Sequence, residues 1–136
     1  MKRVLLFILL TIFTYLVASN SKVHAIGCTA SCWFSSCTIT GCSGPAACGC
    51  YFGLATCKCD EGGTTKPHSV ALNQDNIRAF QTYAISSGDL NLISISGLLL
   101  SITLENYEAK LAEYRNFIEN LEDSSLDLLK GYLGIE

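Results

Sequence analysis

The sequence predicts a small disulfide-rich β-hairpin module followed by an all-α helical bundle. The first reason is that all eight cysteines of this 136-residue chain fall within one stretch of 32 residues. They are Cys28, Cys32, Cys37, Cys42, Cys48, Cys50, Cys57 and Cys59. The second reason is that residues 73–136 contain no cysteine and repeat apolar residues at helical spacing. We therefore expect two halves that are stabilised in different ways.

The N-terminus has the features of a secretory signal peptide. Lys2 and Arg3 precede an apolar run from Val4 to Ala18, and a polar stretch then leads to Ala25. We expect cleavage after Ala25, which makes residues 1–25 the signal peptide and the mature protein extracellular or periplasmic. An uncleaved membrane anchor is the alternative, but the run of about 15 apolar residues is shorter than the roughly 20 that span a bilayer.

Lipid attachment at Cys28 is a second alternative, because Gly27 precedes that cysteine. The residues before it make a poor lipobox, and a lipidated Cys28 would leave an odd number of cysteines. With Cys28 free to pair, all eight cysteines can form four bridges. In an oxidising compartment a dense cysteine cluster is typical of a disulfide framework.

The charge of the mature chain is acidic. Without Lys2, Arg3 and Lys22, six bases remain against twelve acids, a net charge of −6. No basic stripe is present that could displace counterions from phosphate. We therefore expect no nucleic-acid partner.

Residues 26–59 form the predicted cysteine-rich module. Each C-x-C pair places two sulfurs on one face of a strand, because side chains alternate along a strand. Residues 48–59 are therefore expected to form a hairpin, with Gly53 supplying the positive φ of its turn. The stretch from Cys28 to Cys42 is rich in serine and threonine and is predicted to be loop or one short helical turn. A module of this size needs disulfides for stability.

Metal binding by cysteine thiolates is the alternative to disulfides. The module has no C-x2-C knuckle, and the only histidine of the mature chain, His68, lies outside it. We expect no metal site and no cofactor.

The cysteine spacing resembles that of knottin-type, cystine-knot peptides such as the legume albumin-1 type. The resemblance is carried by a C-x3-C-x9-C-x5-C-x-C-x6-C pattern formed by Cys28, Cys32, Cys42, Cys48, Cys50 and Cys57. It implies a compact hairpin-based scaffold, and on that frame Cys37 and Cys59 would form an extra bridge. It covers residues 28–59 only and transfers no function.

Four aromatic residues of the module are the predicted partner-binding residues: Trp33, Phe34, Tyr51 and Phe52. A module this small leaves much apolar surface exposed, and exposed apolar patches mark contacts with a partner or a membrane. The alternative is that these side chains pack over the disulfides or against the helical half.

Residues 60–72 are predicted to be a linker, because Gly62-Gly63 and Lys66-Pro67 interrupt regular structure. They separate the module from an acidic helical bundle over residues 73–136. Cleavage within this linker would release the cysteine-rich part as a peptide.

The start of the bundle carries clear helix boundaries. Asn73 or Asp75 can cap a first helix that runs to about Ser87. Gly88 is expected to end that helix, and Asp89 to cap the next one.

The second helix is predicted over residues 90–104, which are mostly apolar and therefore buried or membrane-associated. A third helix is predicted from an a/d seam formed by Leu104, Tyr107, Leu111, Tyr114, Ile118 and Leu121. This seam faces the bundle or supports self-association through helix 104–121. Ser124 or Ser125 can cap a last helix, and four helices make a plausible bundle.

Residues typical of catalysis are missing from the mature sequence: its single histidine lies in the linker, and its acids lie on polar helix faces. We therefore expect a secreted, non-enzymatic protein that binds a protein or surface partner. One alternative is the precursor of a cysteine-rich toxin or defence peptide with a helical carrier. The other is a membrane-acting protein that uses the apolar helix 90–104.

Overall fold

The computed structural model describes residues 26–60 and 69–136. Five strands precede four helices there, which confirms the predicted fold class. The strands are β1 (Ile26–Ser31), β2 (Ser35–Cys42), β3 (Ala46–Tyr51), β4 (Leu54–Cys59) and β5 (Ser69–Leu72). The helices are α1 (Gln74–Ser87), α2 (Leu90–Leu100), α3 (Tyr107–Glu119) and α4 (Asp123–Leu133). The predicted signal peptide and residues 61–68 of the predicted linker lie outside the described residues.

The first half of the module is an antiparallel hairpin of β1 and β2, so the prediction of loop or helical turn for it is wrong. Alternate residues of β2 are buried, namely Ser35, Cys37 and Ile39. On the other face, the hydroxyls of Thr29 and Thr38 lie 3.0 Å apart across the two strands. Serine and threonine occur in half-buried strands as well as in loops. Whether such a stretch forms a strand depends on the neighbouring strands that it packs against, which its own sequence does not show.

The second half of the module is the predicted hairpin, which the structure confirms as β3 paired with β4. Its two turn residues both have positive φ, 43° at Phe52 and 86° at Gly53, as in the type I′ turn that suits a hairpin. Gly53 is also needed for space, since a Cβ there would lie 2.6 Å from the ring of Phe34. The Phe34 N–H donates to the Gly53 carbonyl at 2.7 Å, which joins the tips of the two hairpins.

The end of the predicted linker contributes a strand. Residues 69–72 form β5, which pairs antiparallel with β2 and gives a sheet of order β1–β2–β5. Val70 and Leu72 are partly buried against the core. Burial alternates along β5, but four residues next to the linker are too short a run to predict a strand, which forms here by pairing with β2.

The predicted boundaries around α1 are confirmed. The Asn73 side chain accepts from the Asn76 N–H, and Gly88 adopts the left-handed conformation that ends the helix. Asp89 caps α2 by accepting from the Leu92 N–H at 2.9 Å. That hydrogen bond is the main cause that holds the pKa of Asp89 below its ordinary value.

Two later boundaries differ from the predictions. α2 ends at Leu100 and α3 begins at Tyr107, so neither the helix 90–104 nor the helix 104–121 has its predicted length. The Asn106 side chain holds the turn between them, since its Oδ1 accepts from the Thr103 N–H and its Nδ2 donates to the Ser101 carbonyl.

The predicted cap of the last helix is also wrong, because α4 begins at Asp123 and both serines lie within it. Ser125 is buried, and its hydroxyl donates to the Asp89 carboxylate at 2.8 Å. The hydroxyl that was available for a cap instead ties α4 to the start of α2.

One apolar core is shared by the cysteine-rich half and the helices. Phe34 and Leu54, from the two hairpin tips, are fully buried together with residues of all four helices. The helical members are Ile77, Phe80, Ala84, Leu92, Ile95, Leu99, Tyr107, Leu111, Tyr114, Ile118 and Leu129. Five of the six predicted seam residues therefore face the core of their own chain, four of them buried and Leu121 partly buried, whereas Leu104 is exposed.

A buried hydrogen-bond network fastens α3 to both hairpins. The Tyr107 hydroxyl donates to the Ala55 carbonyl at 2.7 Å and accepts from the Ser35 hydroxyl at 2.7 Å. The Ser35 hydroxyl in turn accepts from the Ala55 N–H at 2.8 Å. Burial is the main cause that raises the pKa of Tyr107, so the hydroxyl keeps the proton that it donates.

Tyr107→Phe is expected to lower the free energy of unfolding by about 1 to 3 kcal/mol, because it leaves the Ala55 carbonyl without its hydroxyl donor in the core. Chemical denaturation of the oxidised protein measures the change. The control is Tyr83→Phe, at a partly exposed ring, which we expect to stay within about 0.5 kcal/mol of the wild type. Equal losses in the two variants would show that the network contributes nothing specific.

Candidate functional site

Four disulfides join the two hairpins, and no cysteine is free. Cys28–Cys48 joins β1 to β3, and Cys32–Cys50 joins the residue after the end of β1 to β3. β2 is bridged to β4 by Cys37–Cys57 and Cys42–Cys59. The first four cysteines thus pair with the last four in the same order, and every bridge crosses between hairpins.

The extra bridge that the knottin resemblance implied is not formed. Cys37 pairs with Cys57, and Cys59 pairs with Cys42. Cys37 on β2 and Cys57 on β4 are both buried where these two strands pack together, and Cys42 and Cys59 meet at the ends of the same strands. The structure therefore supports a cysteine-rich β module with its own ladder of bridges.

The sulfurs at the centre of the ladder are crowded. Those of Cys28, Cys48 and Cys57 lie within 4.8 Å of one another, a spacing that could hold a metal ion. All three belong to disulfides, whereas the thiolate is the form of cysteine that binds metal. In the oxidised protein this cluster is part of the core.

The four predicted partner-binding aromatics do not form one surface. Phe34 is 0% exposed and packs on Phe80, with 5.4 Å between ring centroids, so it is not available to a partner. Trp33, its neighbour in the chain, is 45% exposed. Tyr51 and Phe52 are partly buried at the other hairpin tip.

Trp33 belongs to an aromatic surface that also includes Tyr83 of α1 and Tyr132 of α4. The rings of Trp33 and Tyr132 pack edge to face, with 6.1 Å between their centroids, and the centroids of Tyr132 and Tyr83 are 4.7 Å apart. The Asn76 side chain donates to the Trp33 carbonyl at 2.8 Å, which fixes this backbone on α1. The sequence-based prediction missed both tyrosines. Their only sequence signal is a position beside the apolar helix face, which also fits a core residue.

Tyr51 and Phe52 pack against α3. The Tyr51 ring lies 5.2 Å from that of Phe52 and 6.5 Å from that of Tyr114, whose hydroxyl donates to the Phe52 carbonyl at 2.8 Å. The guanidinium of Arg115 lies 5.2 Å from the centroid of the Tyr51 ring. These two aromatics thus hold α3 and one cation in place.

A groove of about 440 Å³ lies between the outer face of the β3–β4 hairpin and α3. The hairpin side includes Ala47, Gly49, Thr56 and Lys58, and the α3 side includes Glu108, Leu111, Ala112 and Arg115. Leu111 is buried, whereas the charged side chains at the rim are exposed. The groove combines a floor of small residues with charges at its edges.

No helix within residues 26–60 and 69–136 is long and apolar enough to cross a membrane. Leu92, Ile95 and Leu99 of α2 are fully buried, so the apolar character of this helix serves the core. Four disulfides are typical of proteins in an extracellular or otherwise oxidising environment.

Comparison with protein-family models, with curated proteins and with solved structures finds no match to this chain.

Proposed function

We propose that this chain is a secreted, non-enzymatic protein that binds a protein partner through the aromatic surface of Trp33, Tyr83 and Tyr132. The observation that carries the proposal is the exposure of Trp33 at the edge of this aromatic group, where its ring contacts that of Tyr132. Tryptophan and tyrosine are the residues most enriched among those that dominate binding energy at interfaces. A proteinaceous partner would bury the indole and both tyrosine rings.

The rigidity of the surface supports the proposal. Trp33 follows Cys32, which is bridged to Cys50 of β3, while Tyr83 and Tyr132 lie on helices that share one core with Phe34. Aromatic side chains on a fixed backbone lose little conformational entropy on binding. The buried hydroxyls of Ser35, Ser125 and Tyr107 all serve structural hydrogen bonds, which favours binding over catalysis.

A toxin or defence-peptide precursor is the second candidate, and the core that the cysteine-rich half shares with the helices argues against it. Release of residues 26–60 would expose Phe34 and Leu54 and separate β5 from β2. A peptide that leaves its carrier without loss of structure would not place two fully buried apolar side chains in a core that it shares with the carrier. Intact mass of the secreted protein tests this directly. A full-length chain starting at Ile26 with four disulfides favours the binding protein, whereas a fragment ending within 60–68 favours the precursor.

A photo-crosslinking experiment tests the proposed surface. The probe is a benzophenone at residue 128, since Leu128 is 39% exposed and lies one turn from Tyr132 on α4. With the producing organism's extracellular proteins, we expect a discrete crosslink that Trp33→Ala removes while the protein stays folded, with a loss of stability of about 1 kcal/mol or less. A benzophenone at Leu90, which is 78% exposed, is the control and should give no such crosslink. A crosslink of equal strength in Trp33→Ala would contradict the proposal.

Trp33 is the only tryptophan of the chain, so its fluorescence reports on this surface alone. Once the crosslinked partner is identified, its titration should shift the emission to shorter wavelength, because the indole leaves water. No shift with a partner that binds would place the interface elsewhere.

A further inference from the structure

The groove between the β3–β4 hairpin and α3 shares no residue with the aromatic surface. We propose that it is a second binding site, which takes an extended acidic peptide segment whose carboxylate pairs with Arg115. The argument depends on the shape of the groove, on its floor and on the state of its charges.

The shape fits a short extended chain. On α3 the lining residues Glu108, Leu111, Ala112 and Arg115 follow one helix face. Glu108 and Arg115 are seven residues apart, so this wall is about 10 Å long. About three residues of extended peptide, at roughly 3.3 Å each, cover that length.

The floor allows a peptide backbone to come close. A Cβ added at Gly49 would meet no atom within 4 Å, so the groove is open directly above this residue. Ala47 and Ala112 are the other small residues of the lining. Side chains of ordinary size at these positions would fill the space that a ligand needs.

The charges give the groove a direction. Arg115 lies over Tyr51, beside the hairpin turn, and so marks the turn end of the groove. Glu108 is seven residues earlier on α3 and therefore lies about 10 Å away along the helix. A peptide with its acidic residue at the turn end would meet Arg115 and avoid Glu108.

The cations of the groove are unused within the described part of the chain. The ion pair found there joins Lys110 to Glu113, and neither Lys58 nor Arg115 has a carboxylate oxygen within 4.0 Å among residues 26–60 and 69–136. The Arg115 guanidinium is exposed and lies over the Tyr51 ring, and a guanidinium can bind a carboxylate through two parallel hydrogen bonds. Charge complementarity between these two cations and a carboxylate thus favours an acidic ligand.

The test uses the oxidised, ¹⁵N-labelled protein and a blocked hexapeptide of alternating glutamate and alanine, with the glutamine–alanine peptide as its neutral match. We expect the acidic peptide to shift the amide signals of Gly49, Thr56 and Ala112 saturably, and the neutral peptide to shift them little. Raising the salt concentration should weaken binding, because the rim charges are exposed. Arg115→Gln should weaken it about tenfold or more.

Matched variants separate the groove from general effects. Gly49→Leu and Ala112→Leu, which fill the groove from opposite walls, should each abolish binding, and either one suffices if the other fails to fold. Arg78→Gln removes a cation outside the groove, and Gly97→Leu fills open space on α2; both should bind as the wild type does. Equal binding of the two peptides, or unchanged affinity in Arg115→Gln, would overturn the proposal. So would shifts produced by an oligogalacturonate when the acidic peptide produces none, since the ligand would then be an anionic glycan.

Discussion

Phe34→Ala is expected to lower the free energy of unfolding by about 3 to 5 kcal/mol, the usual range for loss of a buried aromatic ring. Phe34 is 0% exposed and contacts both Phe80 and the glycine of the second hairpin turn. The space left behind cannot close easily, because four disulfides fix the hairpin on one side and helices enclose the other. Denaturant unfolding of the oxidised protein measures the loss.

Trp33→Ala is the control for this prediction, since it removes a larger aromatic one position earlier. Trp33 is 45% exposed, so we expect a loss of about 1 kcal/mol or less. Similar losses of unfolding free energy in Phe34→Ala and Trp33→Ala would mean that Phe34 does not join the cysteine-rich half to the helices as the structure indicates. The pair also separates a core role for Phe34 from the proposed binding role for Trp33.

Removing the Cys37–Cys57 bridge is the second large effect that we expect. Its closed loop spans 20 residues, and the loss of that constraint on the unfolded chain costs about 3 kcal/mol. Both sulfurs are also buried beside Ile39 and Ala55, so the double variant Cys37→Ala/Cys57→Ala loses packing in addition. Thermal and denaturant unfolding with the other three bridges intact give the total.

The matched control is Cys32→Ala/Cys50→Ala. Its loop of 18 residues is almost the same length, but Cys50 is exposed. The loss should therefore be close to the chain-entropy contribution alone, about 3 kcal/mol, and smaller than that of the central bridge. If the peripheral variant were the less stable of the two, packing around Cys37 and Cys57 would not contribute as we infer.

Local signals made part of the fold predictable. The second hairpin follows from Gly53 between two C-x-C pairs, and the boundaries of α1 follow from Asn73, Gly88 and Asp89. Each of these features depends on residues within a few positions of one another. A cap or a turn is therefore visible in the sequence before any tertiary contact is known.

Other parts of the fold depend on distant partners. The first hairpin and β5 are strands because β2 pairs on both edges and packs on β4, and nothing within Cys28–Cys42 specifies that arrangement. Eight cysteines allow on the order of a hundred pairings, and spacing alone cannot choose among them. The end of α2 at Leu100 likewise depends on the Asn106 side chain, six residues beyond it.

The candidate sites show the same division. The residue types of Trp33 and Phe34 led to the same prediction of partner binding for both, but Trp33 is exposed and adjacent Phe34 is buried. Binding by Trp33 stays a prediction. Tyr83, Tyr132 and Arg115 acquire their proposed roles only through neighbours that lie far away in the chain. Residue type thus suggested which residues to consider for binding, and the tertiary structure showed which of them are exposed.

The ladder of bridges also constrains how the protein matures. Chains are synthesised from the N-terminus, and when residue 47 has emerged four thiols are present without one native partner among them. The last four cysteines are then synthesised in the same order as their partners were, beginning with Cys48, which pairs with Cys28, and ending with Cys59, which pairs with Cys42. A bond formed early among the first four has to be exchanged before the native set can close. During synthesis the native partner of Cys28 is therefore the first to become available and that of Cys42 the last, so the emergence of Cys59 sets the earliest point at which all four bridges can be present.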